Sequence, residues 1–270
     1  MAAELPVPLV PRRRVTGPGH GALRSARRGR GGDVVGTRPY QRGDDVRRID
    51  HRASARLSFA LDRDEFVVRE HFAEEATRVA VVRDRRPSMT LFPGWLPWLS
   101  KPHACRTVER LLEGSARRGR CAFRAEDDTV AHALEGLGLG PRGRGSFVFL
   151  ISDFLSLPSD DAWREPLERG WDVIPVVLQD PLWEQSFPNV AGVVLPIWDP
   201  DAQRMRPTFL TRRACTERRS ANEQRFREIV ETFDRLGLDA ILLSGSDGEC
   251  IYQAFHDWAD ARRFGVRLRP

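Results

Sequence analysis

The sequence predicts a doubly wound α/β fold with a mostly parallel sheet. Three observations carry this prediction. Short apolar runs recur from Thr77 onward, at Val79–Val82, Phe147–Ser152, Val173–Leu178 and Ala240–Leu243, and such runs suit strands buried on both faces. The segments between them place apolar residues at helical spacing. Strands and helices then alternate to the C-terminus, the pattern of a sheet covered on both sides.

The elements follow in order. Residues 1–32 are rich in Pro, Gly and Arg without periodicity and read as a flexible arm. Residues 33–76 form a charge-rich segment, with a short helix or irregular turn expected over Val46–Leu57 and a strand at Phe66–Val68. Residues 77–270 form the α/β domain. Its first strand, Val79–Val82, leads into the Trp- and Pro-rich loop Leu91–Pro102. Ala104–Arg117 is a helix with Val108, Leu111 and Leu112 on one side. Arg120–Phe123 is a strand, and Asp128–Leu137 a helix capped by Asp127 or Asp128. Phe147–Ser152 is the clearest strand, and Asp160–Arg169 a helix. Val173–Leu178 is a strand despite Pro175. Pro181–Pro207 is irregular around a short strand at Val193–Leu195. Thr216–Leu236 is a long charged helix, Ala240–Leu243 the last strand, and Gly248–Phe264 the last helix, with Ile251, Phe255, Trp258 and Ala259 aligned.

Composition excludes several classes. At 270 residues, 41% hydrophobic and 30% charged, the chain has the profile of a globular domain. No apolar run reaches the ~18 residues of a membrane span, and the N-terminus lacks the layout of a secretory signal, so a cytoplasmic location is expected. A formal charge of +5 raises nucleic-acid binding through Arg12–Arg30. Against it, Lys101 is the only lysine and the arginines sit among acids, as on a mixed solvated surface. The four cysteines are widely spaced with no CxxC pair, which argues against structural zinc and a disulfide framework.

The most specific stretch is Arg38–Arg56, RPYQRGDDVRRIDHRASAR. Its Arg38, Tyr40, Gly43, Asp44, Asp45, Arg47, Ile49 and Asp50, followed by Ala55 and Arg56, resemble the signature of the bacterial DUF58 family, with His51 where the family has Trp. The likeness continues through Glu70, Asp84, Ser88 and Met89 to Asp153. It implies a von Willebrand factor A-like fold, with the charge-rich segment packed against it, and work alongside a MoxR-type AAA+ ATPase or its client protein. Many family members carry two membrane helices ahead of the signature; this sequence shows none.

The resemblance also implies a site. Von Willebrand A domains hold a divalent cation with an Asp-x-Ser-x-Ser loop, a Thr and a second Asp, oxygens that suit Mg²⁺. The matching positions are Asp84, Ser88, Thr129 and Asp153, but Arg86 stands at the first serine. A divalent ion ~5 Å from that guanidinium would be repelled by roughly 7 kcal/mol at an effective dielectric of ~20. Either Arg86 points away and Mg²⁺ is retained, or its guanidinium pairs with Asp84 and Asp153 and replaces the metal, with no cofactor; the second reading is preferred. The plain alternative is that Asp84 and Asp153 merely cap loops.

Around this site Trp95 and Trp98 could form a partner-binding loop or fold down as a lid. Asp180 and Glu184, beyond the Val173–Leu178 strand, are candidate partner-binding residues; four apart, they could also work as acid and base, but read mainly as solvated rim charges. The alternating charges of Arg38–Arg56 read as an internal ion-pair lattice anchored by Tyr40 and Ile49. Gly138–Gly143 satisfies GxGxxG but precedes its strand, so it fails the dinucleotide-binding context. The expected function is noncatalytic protein–protein interaction through a degenerate metal-ion-dependent adhesion site. The alternatives are a metal-assisted hydrolase using Asp84, Asp153 and Asp180, and nucleic-acid binding by the basic arm.

Overall fold

The computed structural model describes residues 6–11, 23–41, 49–75, 78–90, 100–136, 146–199 and 204–265. Its centre is a five-stranded, all-parallel sheet built from β3 (Arg78–Asp84), β4 (Ala122–Asp128), β5 (Phe147–Ser152), β6 (Asp172–Leu178) and β9 (Ile241–Leu243), in the order β4-β3-β5-β6-β9. Counting only these five, the order is second, first, third, fourth, fifth. The winding therefore reverses between β3 and β5, and the crevice beyond their carboxyl ends is where doubly wound sheets bind ligands.

Alternation along each strand splits the core in two. Val79, Val81, Phe147, Phe149, Ile151, Ile174 and Val176 face one side. They pack on α2 (Lys101–Arg118) through Val108, Leu111 and Leu112, and on α6 (Gly248–Phe264) through Ile251, Phe255 and Trp258. Ala80, Val82, Val148, Leu150, Val173 and Val177 face the other. They meet α3 (Val130–Gly136), α4 (Asp160–Glu168) and α5 (Arg212–Leu236), with Trp163, Ile229 and Phe233 buried there. Pro175 lies inside β6 opposite Leu150 of β5, one residue before the ladder to β9 begins at Val176.

Several expectations are corrected. The arm does not lack structure throughout: Val7 and Leu9 are buried in the α2/α6 layer, the Val7 amide donates to Ser115 Oγ (2.9 Å) and the Val10 carbonyl accepts from Arg262 (3.2 Å). Apolar residues two apart in PVPLVP bury one edge of an extended segment. Leu23–Pro39 forms β1, antiparallel to β2 (Val67–Glu75), with register shifts between Arg24 and Arg28, Gly29 and Val34, and Val34 and Gly36, the last two at glycines, as bulges produce. Of the short helix or irregular turn expected over Val46–Leu57, the helix is found, shifted to α1 (His51–Leu61) and started by Asp50, whose Oδ1 accepts from the Arg52 and Ala53 amides. Pro181–Pro207 contains a hairpin, β7 (Val194–Asp199) with β8 (Arg204–Phe209). α2 begins at Lys101, three residues before its expected start.

Of the signature residues, Arg38 lies in β1 opposite Val68, and the Tyr40 amide donates to the Phe66 carbonyl. Ile49 bridges to Val68, and Arg56 is on the exposed side of α1. Gly43, Asp44, Asp45 and Arg47 lie outside the described residues, as do Trp95, Trp98 and Gly138–Gly143. Among the described residues the α/β core clusters include Val7 and Leu9 but nothing from 39–75. No helix there is long and apolar enough to cross a membrane.

Candidate functional site

β3 ends at Asp84 and β5 runs through Ser152 into Asp153, so the parallel register delivers both acids to the switch point. Their carboxylates are fully buried, and a single nitrogen bridges them: Arg86 Nη2 stands 2.6 Å from Asp84 Oδ2 and 3.6 Å from Asp153 Oδ1. Arg86 Nε adds a bond to Asp84 Oδ2 (2.7 Å), Nη2 one to Ser152 Oγ (2.9 Å), and Nη1 one to the Ser156 carbonyl (3.1 Å). The Ser152 hydroxyl in turn donates to Asp84 Oδ2 (2.6 Å). Arg86 therefore points inward, and its Nε, Nη1 and Nη2 each meet acceptors on the two strand ends.

A second cation completes the site. Lys101 is wholly buried, and its ammonium donates to Asp153 Oδ2 (3.0 Å), Glu184 Oε1 (2.5 Å) and, at 3.4 Å, the Ser88 carbonyl. Lysine in the first turn of a helix opposes the helix dipole, and burying its charge unpaired is costly. Two carboxylates make the position tolerable. Burial opposes ionisation of Asp153, but the Lys101 ammonium, the Ser88 hydroxyl and the Leu155 amide outweigh it and hold its pKa below the usual carboxylate value. Glu184 shares the same ammonium, yet burial dominates and pushes its pKa up. Asp153 keeps the charge more firmly because the Ser88 hydroxyl and the Leu155 amide donate to it as well.

Asp180 and Glu184 are not solvated rim charges: they are 2% and 6% exposed. Asp180 Oδ1 accepts from the Leu182 and Trp183 amides (2.8 Å each), and Glu184 Oε2 accepts from the Asp180 amide (2.9 Å). The two acids thus close the turn that presents Glu184 to Lys101. Thr129 follows β4 but caps α3, accepting from the His132 amide (3.3 Å); it takes the capping role expected of Asp127 or Asp128. Asp128 instead pairs with His132 Nδ1 and accepts from the Thr129 amide.

The donor set does not fit a divalent cation. Asp84 and Asp153, the two acids such an ion would need, already face a guanidinium and an ammonium, whose combined charge equals that of Mg²⁺. Among the described residues no three His, Cys, Asp or Glu side chains are grouped to hold a metal. The three acids of the hydrolase reading, Asp84, Asp153 and Asp180, are all buried and hydrogen-bonded. What it does chemically is fix three loop ends to one another by charge: 84–88, 152–156 and 180–184.

Sequence reasoning named Asp84, Arg86, Ser88 and Asp153 and missed Lys101, Ser152 and the buried role of Glu184. One signal was available for Lys101: it is the sole lysine in a chain that otherwise uses arginine. No family model, curated protein or solved structure matches the chain.

Proposed function

We propose that the chain is a DUF58-like protein with a von Willebrand A-like domain, acting as a noncatalytic protein–protein interaction module whose adhesion-type site works without metal. The observation that carries this reading is the bridge Asp84–Arg86–Asp153 with Lys101 beneath it. In a metal-dependent module the ion both organises the loops and binds the partner. Here two side chains of the chain itself organise the loops, so partner binding is left to the surface those loops display. Supporting the reading further, the sheet order brings the two signature aspartates to one crevice, and the hydrolase alternative finds no solvent-accessible carboxylate among its three acids. The partner implied by resemblance is a MoxR-type AAA+ ATPase or its client.

The test is sedimentation of the purified protein with the nucleotide-free MoxR-type ATPase of the same genome, in EDTA and in millimolar Mg²⁺. The expected result is a complex of equal stability in both, weakened by salt. A complex that forms only with the divalent ion contradicts the metal-free site; no complex in either buffer removes that ATPase as the partner.

A further inference from the structure

An open groove of about 400 Å³ runs beside the switch point. Leu155 and Leu157, from the loop that follows Asp153, form one wall, and Ala221, Gln224, Arg225 and Glu228 of α5 form the other. Arg225 is the unusual member. Its Nη2 donates to the Glu184 carbonyl (2.9 Å) and to Asn222 Oδ1 (3.0 Å), while its buried Nε has no hydrogen-bond partner. Arg83, Arg86, Lys101 and Arg262 each meet at least one carboxylate within salt-bridge distance. Arg225 meets none among the described residues; burial works against its charge, and Glu184 and Asp153 act on it only at longer range. A half-buried guanidinium without a counter-ion is costly, and holding one carbonyl and one amide does not require it. The one acid lining the groove, Glu228, accepts from Gln224 Nε2 (2.9 Å) and makes no ion pair with Arg225.

The opposite wall is held rigid. Phe154, the first residue beyond Asp153, has φ +50, a sterically expensive conformation for a bulky side chain. It is maintained from both ends. The Phe154 amide donates to Ser152 Oγ (2.9 Å), and the buried ring packs 5.2 Å from Phe233 and 6.4 Å from Trp163, centroid to centroid. Such strain persists only where surrounding structure enforces it, and it concentrates at binding sites. A preset wall also reduces the ordering cost of binding.

We propose that this groove is the docking site for a partner segment in which an acidic residue adjoins a leucine-type side chain. The carboxylate pairs with Arg225, and the apolar side chain lies against Leu155 and Leu157. Charge complementarity selects this occupant: Arg225 meets no carboxylate within salt-bridge distance among the described residues, and two leucines and an alanine line the groove beside it. The proposal rests on the interaction-module reading and deepens it. It places the acid-receiving group at Arg225 on α5 and not at Arg86, whose Nε, Nη1 and Nη2 are engaged within the chain.

The test uses a fluorescein-labelled peptide, Gly-Leu-Asp-Leu-Gly, blocked at both ends, and its Asp→Asn counterpart. Binding to the full chain is read by fluorescence anisotropy in EDTA at low salt. The expected result is roughly tenfold tighter binding of the aspartate peptide, a preference that fades with salt and disappears in Arg225→Ala. Because Arg225 also holds the Glu184 carbonyl, Ala221→Trp provides an independent check. Ala221 is exposed, so the indole fills the groove without touching the ion-pair site, and binding should fall at least tenfold with the circular dichroism spectrum unchanged. Equal binding of the two peptides, no binding of either, or binding unaffected by Ala221→Trp overturns the proposal. Failure of the module reading looks different: the peptide preference persists while the ATPase complex does not form.

Discussion

Lys101 shows most clearly what one side chain does here. Its ammonium is the contact between Asp153 and Glu184, so removing it leaves two buried acids facing each other. Lys101→Met should therefore lower unfolding stability by roughly 3–5 kcal/mol, the usual result of breaking a buried ion pair on one side. The double variant Lys101→Met/Glu184→Leu should recover part of that loss, because Asp153 keeps Arg86. Urea unfolding of the four proteins in this cycle measures both effects; a single-variant loss below about 1 kcal/mol, the scale of exposed pairs, would contradict the assignment. A second residue-scale outcome concerns His132. The hydrogen bond that His132 donates to Asp128, aided by the carboxylate's charge, raises the imidazole pKa. A raised folded-state value means the pair stabilises below the unfolded histidine pKa of ~6.5 and ceases to do so as pH rises through the higher folded value. An NMR titration should place His132 above the ordinary histidine range in the native protein and return it there in Asp128→Asn.

Among the elements, the extended segment Pro6–Pro11 is the one whose contribution is easiest to isolate. Val7 and Leu9 enter the α2/α6 layer, and Arg262, itself held by Asp172 (2.8 Å) and Asp239 (3.0 Å), grips the Val10 carbonyl. Leu9→Ala should cost about 2–3 kcal/mol in denaturant unfolding, the low end for a buried leucine, and expose the segment to limited proteolysis; an unchanged midpoint would mean that the strap carries no load. The central strands were legible in the sequence because burial on both faces demands continuous apolar runs, as in Phe147–Ser152. The β7/β8 hairpin was not. Pro196 and Pro207 face each other across it, and its Val194 and Phe209 are 58% and 61% exposed, so neither propensity nor alternation marks it. α1 was only half legible for a related reason. Its sole buried residue is Ser54, which leaves no apolar stripe; the Asp50 cap is what starts it.

For the whole molecule, the sheet order matters most, because it turns two acids distant in sequence into neighbours. Acids at the ends of apolar strands could be read directly, as could the anomaly of Arg86 at a serine position. The pairing partner of Asp153 could not. Lys101 adjoins a proline- and tryptophan-rich stretch that reads as loop, and only the fold shows that α2 starts on it and turns it inward. The burial of Asp180 and Glu184 was equally hidden, since it depends on how the 180–184 turn closes over the sheet edge. Together these contacts make the switch point an internally paired knot, and its metal independence is the claim on which the functional reading depends. The most direct measurement is thermal unfolding of the native chain in EDTA and in millimolar Mg²⁺ or Mn²⁺. An ion bound at a hundredfold excess over its Kd would add about 2.7 kcal/mol to stability. The account predicts coincident transitions in all three buffers; a midpoint raised by either ion and reversed by the chelator would contradict it.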